Sequence, residues 1–319
     1  MNIIVLQGGP SSEAEVSRRS GNNIAQTLKE NHHTVTQVEF SREALKEILA
    51  DPPDIVFMAM HGTPGEDGTV QGFLEAAGIP FTHSGSAAAA LAIDKLRTKQ
   101  IMLQTGVPTL PFILVRKGDI IPAKAEAAIH RCGLPFIVKP LREGSSVGIT
   151  IVKEREHCAG IIEMSVNAYS AVLIEPFIGN GREVTVGIAG RRGEETTLPI
   201  LELRTKEAFY DYHAKYTPGQ TEFICPAPLL PRLKADVEAI AVQTHTALGC
   251  TAPTRIDMII QEHDIRVLEV NTIPGMTLTS DYPYAAQVAG KSFTAVCDDI
   301  ITWGLQRSHS TRGHCAAYL

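Results

Sequence analysis

The sequence has little that would direct it to a membrane, a nucleic acid or an oxidising compartment. None of its apolar stretches approaches the ~18 residues of a membrane helix. There is no dense basic run and the net charge is −6, which argues against nucleic acid as the main partner. The six cysteines (Cys132, Cys158, Cys225, Cys250, Cys297, Cys315) show no C-x-x-C or other metal spacing. Scattered in a chain this long, they fit reduced thiols in a cytosol. There is no internal repeat and no low-complexity tract. No G-x-x-x-x-G-K-[ST] string occurs, so this is not a P-loop nucleotidase. The opening MNIIVLQGGP has an apolar run too short for a signal peptide and no basic start. A cytoplasmic protein without membrane or nucleic-acid partners is expected. With 319 residues, 20% charged and 6% aromatic, the chain is long enough for two or three domains around a sizeable core.

Apolar runs predict strands at 2–6, 35–40 and 54–58, with helices at 13–29 and 42–50 between them. That alternation implies a small parallel sheet. Residues 87–92 are Ala-rich and helical. Asp94 is placed to cap a further helix through Gln104, which Pro108 and Pro111 end. Strands at 112–115, 136–139, 149–152 and 172–175 alternate with helices at 122–131 and 155–167, as in a compact middle unit. A strand at 183–189, a helix at 230–248, two acid-bearing strands and a helix at 293–305 follow. The polar segment 204–221 lacks periodicity and holds three tyrosines, two lysines and a Pro-Gly pair. A loop that long inside a compact domain is usually functional or disordered. The tail, about 307–319, is polar and reads as frayed.

Four constellations carry chemistry. In RIDMII and VLEVN, two apolar runs each hold one acid, Asp257 and Glu269, and Asn271 stands two residues after Glu269. Side chains two apart share a strand face, so Glu269 and Asn271 can point to one site, and Asp257 on a paired strand can join them. Three hard oxygen donors suit Mg²⁺ bound together with substrate phosphates. The plain alternative, an acidic hairpin with surface carboxylates, fits poorly with the Ile, Val and Leu that flank the acids. The second constellation is REGSSVG (142–148), where small residues between two strands let backbone N–H groups face an anion. Ser145 and Ser146 add hydroxyls, and Lys139 can pair with phosphate. A plain Gly-Ser hairpin turn is the alternative.

The third, GGPSSEAE (8–15), is a glycine turn feeding a helix N-terminus. Ser12 and Glu15 are spaced as a capping box, which leaves Glu13 able to face a ligand ammonium or merely to complement the helix dipole. Beside it, HGTPGEDG (61–68) places His61 beyond a strand end, where α/β sheets bind ligands, although a turn histidine is equally consistent. Gly65, Gly68 and Gly72 are assigned to turns and close packing. The fourth, FYDYHAKY (209–216), suits a lid that excludes water from a polar ligand, or a surface loop that packs on its domain.

The strings GGPSSEAEVS, MHGTPGEDGTVQG, AIDKLRTK, IVKPLREGSSVGI, LIEPFIGNGREVTV, FYDYHAKY, RIDMII and LEVNTIPGMT occur in this order from about Asn2 to Phe293. Together they resemble the ATP-grasp superfamily and, within it, the D-alanine–D-alanine ligases. The resemblance implies an α/β (α+β) ATP-grasp fold in three domains. These are a Rossmann-like N-terminal domain at 1–93, a central domain at 94–180 and a C-terminal domain at 181–319 that carries the lid. It implies that ATP lies between the last two, its phosphates bound by Lys95, Lys139, Lys215 and the Ser145–Val147 backbone, Ser146 included. Glu175 and the backbone through Ile178 would hold adenine under Phe209, and Glu183 the ribose. Asp257, Glu269 and Asn271 would bind two Mg²⁺, with Mn²⁺ as a substitute. Glu13 would hold the first D-alanine's ammonium, with His61 nearby, and would form a triad with Ser145 and Tyr216. Arg255, the Gly275 backbone and Ser280 would face the second D-alanine and the developing oxyanion. A homodimer acting in peptidoglycan synthesis is implied as well.

Two positions depart from the family pattern. Asp281 stands where the ligases of two D-alanines usually have an apolar residue and some D-serine relatives a basic one. A desolvated acid beside the acceptor carboxylate is unfavourable. Either Asp281 turns aside or the acceptor differs. His213 stands in the lid where Glu is frequent. Tyr216 is kept, and it disfavours an ester product.

Overall fold

The computed structural model describes residues 1–205, 221–277 and 279–315. Three sheets organise them. The first is parallel, in the order β2-β1-β3, from Asn2–Gln7 (β1), Thr34–Glu39 (β2) and Ile55–Met58 (β3). Helix α1 (Ala14–Glu30) covers it, burying Val16, Ser20, Ile24 and Leu28 at a four-residue spacing, with Ser17, Gly21 and Ala25 beside them. That stripe is one face of a 3.6-residue helix, and small residues in it let helix and sheet approach closely. Helix α2 (Arg42–Ala50) starts on Ser41, whose hydroxyl accepts from Ala44 N at 3.0 Å.

Two differences from expectation occur here. The Ser12–Glu15 capping box does not form. Helix α1 begins one residue after Glu13, which occupies the N-cap without a side-chain cap. Ser11 accepts from Glu13 N (3.3 Å) and donates to the His61 carbonyl (2.6 Å), while Glu15 pairs with Arg18 at 3.5 Å. Tertiary contact with the 61–62 turn thus replaces the local cap. In addition, Thr69–Ala76 forms a helix (α3) that periodicity did not reveal. Gly72 is therefore helical rather than in a turn, and a Cβ there would make only ordinary contact with Ser86 at 3.8 Å, at the start of α4 (Ser86–Ile93), so close packing does not require glycine at this position.

Helix α5 (Lys95–Thr105) begins at Asp94, whose carboxylate accepts from Arg97 N at 3.1 Å, as the spacing predicts. The second sheet is antiparallel, in the order β4-β7-β5-β6: Ile113–Arg116 (β4), Phe136–Pro140 (β5), Thr150–Val152 (β6) and Ala171–Pro176 (β7). Helices α6 (Ile121–Cys132) and α7 (Arg155–Tyr169) back it around Val115, Phe136, Val138, Ile162 and Ile174.

The third sheet is antiparallel, in the order β11-β10-β8-β12-β13 with β9 beside β8. Its strands are Arg182–Ala189 (β8), Thr196–Thr197 (β9), Leu201–Thr205 (β10), Thr221–Ile224 (β11), Thr254–Gln261 (β12) and Asp264–Asn271 (β13). Helix α8 (Pro231–Ala247) packs on it. The ends of the polar segment expected to be loop are paired strands, Thr205 opposite Thr221. Helices α9 (Asp281–Val288) and α10 (Phe293–Cys315) close the chain, and α10 runs past the Leu305 at which it was expected to stop. No helix among the described residues is long and apolar enough to cross a membrane.

Candidate active site

The register of β12 and β13 decides the geometry of the acids. Asp257 lies opposite Glu269 and Arg255 opposite Asn271, with a bulge after Asp257. Cross-strand partners share a face, so four polar side chains project from one side of the hairpin. Asp257 and Glu269 are partly buried, their side chains 17% and 34% exposed. Arg255 organises the patch. Its Nε and Nη2 donate to the two oxygens of Asp257 (2.9 and 2.8 Å), and its Nη1 donates to Asp281 at 3.1 Å. Thr185 of β8 donates to Asp257 at 2.6 Å. Burial alone would lower the guanidinium's pKa, but Asp257 and Asp281 hold it well above its ordinary value. Asn271 accepts from Ile273 N at 3.0 Å, which turns the chain into the 272–277 segment. Ser20 of α1 holds that segment through Met276 N at 3.2 Å.

Two pockets share this patch. One lies between the second and third sheets and is lined by Lys139, Glu175, Ile178, Glu183, Ser146, Val147 and Asp257. The other lies toward the first sheet and is lined by Glu13, His61, Ser145, Arg255, Gly275, Ser280 and Asp281. Lys95 and Glu269 line both. The Lys95 ammonium donates to Glu143 O at 2.6 Å and stands 3.9 Å from the Glu269 carboxylate. Lys139 and Glu175 form a buried ion pair across β5 and β7.

The loop at 142–148 spans both pockets. Its Ser145 and Ser146 adopt left-handed backbone (φ +47° and +61°), which non-glycine residues rarely do and which clusters at functional sites. Val147 N donates to Gly144 O at 3.0 Å. Ser145 donates to the Glu13 carboxylate, joining this loop to the start of α1. A Cβ at Gly144 would sit 2.7 Å from Glu13 Oε2, so a side chain there would displace the carboxylate that Ser145 holds. Likewise a Cβ on Gly275 would strike Ser280 Oγ at 2.8 Å. Ser280 is fixed in turn, accepting from Thr277 N at 3.1 Å.

His61 is buried, and burial outweighs the nearby Glu13 to push its pKa down, so the imidazole is neutral. Its Nε2 has no hydrogen-bond partner among the described residues. The structure thus brings Glu13, His61, Ser145, Arg255, Gly275, Ser280 and Asp281 to one pocket. Phe209, His213, Lys215 and Tyr216 lie outside the described residues. Asp281 does not stand alone against an acceptor: its carboxylate is held by Arg255 and its side chain is 10% exposed.

Glu66 was not singled out from sequence. It lines the second pocket, and its carboxyl accepts from Gly62 N at 2.7 Å. Burial and then the charge of Glu13 push its pKa from 4.5 up to about 8, so it is neutral at pH 7. The folded state therefore keeps a proton that the unfolded chain gives up near pH 4.5. The stabilisation is complete below that value and is lost as pH rises through about 8. Glu66→Gln should flatten the fall in Tm between about pH 5 and 8. An unchanged slope of Tm against pH would contradict this protonation.

Comparison with known proteins follows the same lines. A family model described as the D-ala D-ala ligase C-terminus matches residues 101–302, and one described as the D-ala D-ala ligase N-terminus matches residues 37–84. The chain is 41% identical over 303 residues to a D-alanine–D-alanine ligase of Syntrophotalea carbinolica, covering 94% of both chains. It is 39% identical to that of Syntrophobacter fumaroxidans, covering 96% and 98%. A crystal structure of the D-alanine–D-alanine ligase from Bacillus anthracis superposes with a TM-score of 0.85 at 34% identity, covering 98% and 99% of the two chains. A structure of a Bacillus anthracis ligase complexed with ATP superposes at 0.83 with 30% identity.

Proposed function

The chain belongs to the D-alanine–D-alanine ligase family, and from that premise we propose how its residues divide the work. The enzyme is an ATP-dependent ligase that joins two D-alanines for peptidoglycan precursors. One observation carries the assignment of roles: Glu269 and Lys95 stand at the boundary of two pockets. One pocket has the lysines and apolar walls that suit a nucleotide, the other the carboxylate and arginine that suit an amino acid. A phosphoryl group passed between them crosses the point where Asp257, Glu269 and Asn271 meet.

ATP occupies the cleft between the second and third sheets. Lys95, Lys139 and the 145–147 backbone hold its phosphates, Glu175 and the chain through Ile178 its adenine, and Glu183 its ribose. Asp257, Glu269 and Asn271 fit magnesium, since all three are hard oxygen donors on one sheet face and the carboxylates are still partly accessible. Bound there, two Mg²⁺ would neutralise charge on the transferred phosphoryl group.

Glu13 holds the ammonium of the first D-alanine beside neutral His61, and Ser145 fixes Glu13. The carboxylate of that alanine attacks the γ-phosphorus, ADP departs and an acyl phosphate forms. The neutral amine of the second D-alanine, whose carboxylate faces Ser280, attacks the activated carbonyl. Arg255 and the Gly275 N–H stabilise the oxyanion, and phosphate leaves. Asp281 bonds to Arg255, so its charge is compensated and an alanine acceptor is compatible with it.

Mass analysis of products formed from ATP and mixed D- and L-amino acids tests the whole reading. D-alanyl-D-alanine should dominate, and a different acceptor in the main product would overturn the assignment of the second pocket. Glu13→Ala should raise KM for D-alanine by roughly tenfold or more and leave ATP binding within about twofold. Equal losses for both ligands would remove the ammonium role.

A further inference from the structure

Two lysines and one carboxylate meet behind the nucleotide cleft. Glu175 is 2% exposed. One of its oxygens pairs with Lys139 of the neighbouring strand, the other with Lys99 of α5. The two cations are not equivalent. Lys139 lines the cleft and Lys99 does not. Lys99 is wholly buried behind Glu175, donates to Thr109 Oγ1 at 2.6 Å and lies 5.9 Å from the centroid of the Phe112 ring. Thr109 donates onward to the Val267 carbonyl of β13 (3.2 Å), so Lys99 is anchored where α5, the second sheet and the third sheet join. A side chain so placed lies outside the cleft and acts on it through its partners, of which Glu175 is the one that lines the cleft.

We propose that Lys99 is a positioning residue that keeps Glu175 ionised and in place, so that Lys139 can leave Glu175 for a phosphate of ATP. This rests on the reading of the cleft as the nucleotide site. Without nucleotide, two ammonium groups share one carboxylate. An arriving polyanion draws the mobile one, Lys139, while the anchored one remains. Were Lys99 uncharged, the move would strand a buried carboxylate without a counterion, which is strongly unfavourable. The local electrostatics agree. Burial lowers the pKa of Lys99 to about 8 despite Glu175, and Lys139 pushes it the same way, so Lys139's departure strengthens the remaining pair. Burial alone would raise Glu175, but Lys139 and Lys99 hold its carboxyl below the ordinary range.

Steady-state kinetics of Lys99→Met at pH 5.5 and pH 7, both below the Lys99 pKa, test the proposal. At pH 7 KM for ATP should rise roughly tenfold or more while KM for D-alanine stays within about twofold. At pH 5.5 the ATP defect should shrink, because Glu175 can then take up a proton and release Lys139. Lys99→Arg keeps the charge and should restore ATP affinity. A folded Lys99→Met whose two KM values rise in parallel, or whose ATP defect is the same at both pH values, overturns the proposal, as does an arginine variant no better than methionine. If the methionine variant fails to fold, Lys99→Gln retains a polar contact to Thr109 and carries the same test. Lys139→Ala separates the two levels. If it leaves KM for ATP unchanged, the nucleotide reading of the cleft falls. If it raises KM while Lys99→Met does not, only the role of Lys99 falls.

Discussion

Glu269→Ala is expected to lower ATP-dependent dipeptide formation by about 10³-fold or more while leaving the fold intact. A metal that stabilises charge in phosphoryl transfer contributes several kcal/mol to the transition state, and each 1.36 kcal/mol is tenfold in rate. Glu269 borders both pockets and is the acid opposite Asp257, so its loss would remove a proposed metal ligand from the boundary between the two pockets. The fold should tolerate the change because the side chain is one-third exposed, and Lys95 keeps its bond to the Glu143 carbonyl. The measurements are turnover at saturating D-alanine and ATP, Mg²⁺ titration and Tm. Turnover near the wild-type rate would sink the metal assignment, and a collapsed Tm would make Glu269 a structural residue instead.

Arg255→Met should be nearly as damaging, for two separable reasons. An oxyanion donor is typically worth 10²–10³-fold in kcat, about 3–4 kcal/mol. The same guanidinium neutralises Asp257 and Asp281, whose side chains are only 17% and 10% exposed. Leaving buried carboxylates uncompensated costs on the order of 3–5 kcal/mol. The single variant should therefore lose both activity and several degrees of Tm. Adding Asp281→Leu removes one stranded charge. The double variant should recover part of the Tm with kcat still low. Recovery of kcat along with Tm would mean that Arg255 acts only by holding Asp281, and the oxyanion role would be lost.

The two variants also mark how far the residues alone could be read. The face shared by Glu269 and Asn271 follows from a two-residue period, but the pairing of Asp257 does not: the short β12–β13 connection alone would set Asp257 opposite Leu268, and the bulge after Asp257 shifts it opposite Glu269. The Asp94 cap and the stripe of α1 were equally legible, because each needs only neighbours within a turn of helix. The capping box failed for the converse reason. Its local signal competes with a hydrogen bond from Ser11 to residue 61, fifty positions away. Thr69–Ala76 escaped notice because Gly68 precedes this short helix and Gly72 interrupts it, and its packing on α4 supplies what periodicity lacks.

Lys99 and Glu66 are the instructive omissions. A lysine four residues after Lys95 reads as a solvated helix face, since lysines are almost never fully buried unless paired. Its partner, Glu175, lies 76 positions away on another sheet. Glu66 looked like one more acid in a glycine-rich turn. Its proton is retained because the fold buries it and then sets the charge of Glu13, from a different element, against it.

By itself, then, the sequence determined which side chains share a face, where the strands and most helices lie, and which family's motifs run along the chain. All of these depend on spacings of two to four residues. The tertiary structure alone decided the charge states and pairings: Ser145 on Glu13, Arg255 between Asp257 and Asp281, and Lys139 shared with Lys99 on Glu175. The physical reason is that ionisation and hydrogen bonding depend on desolvation and on the nearest opposite charge. Both are set by packing between segments distant in the chain rather than by the order of residues within one.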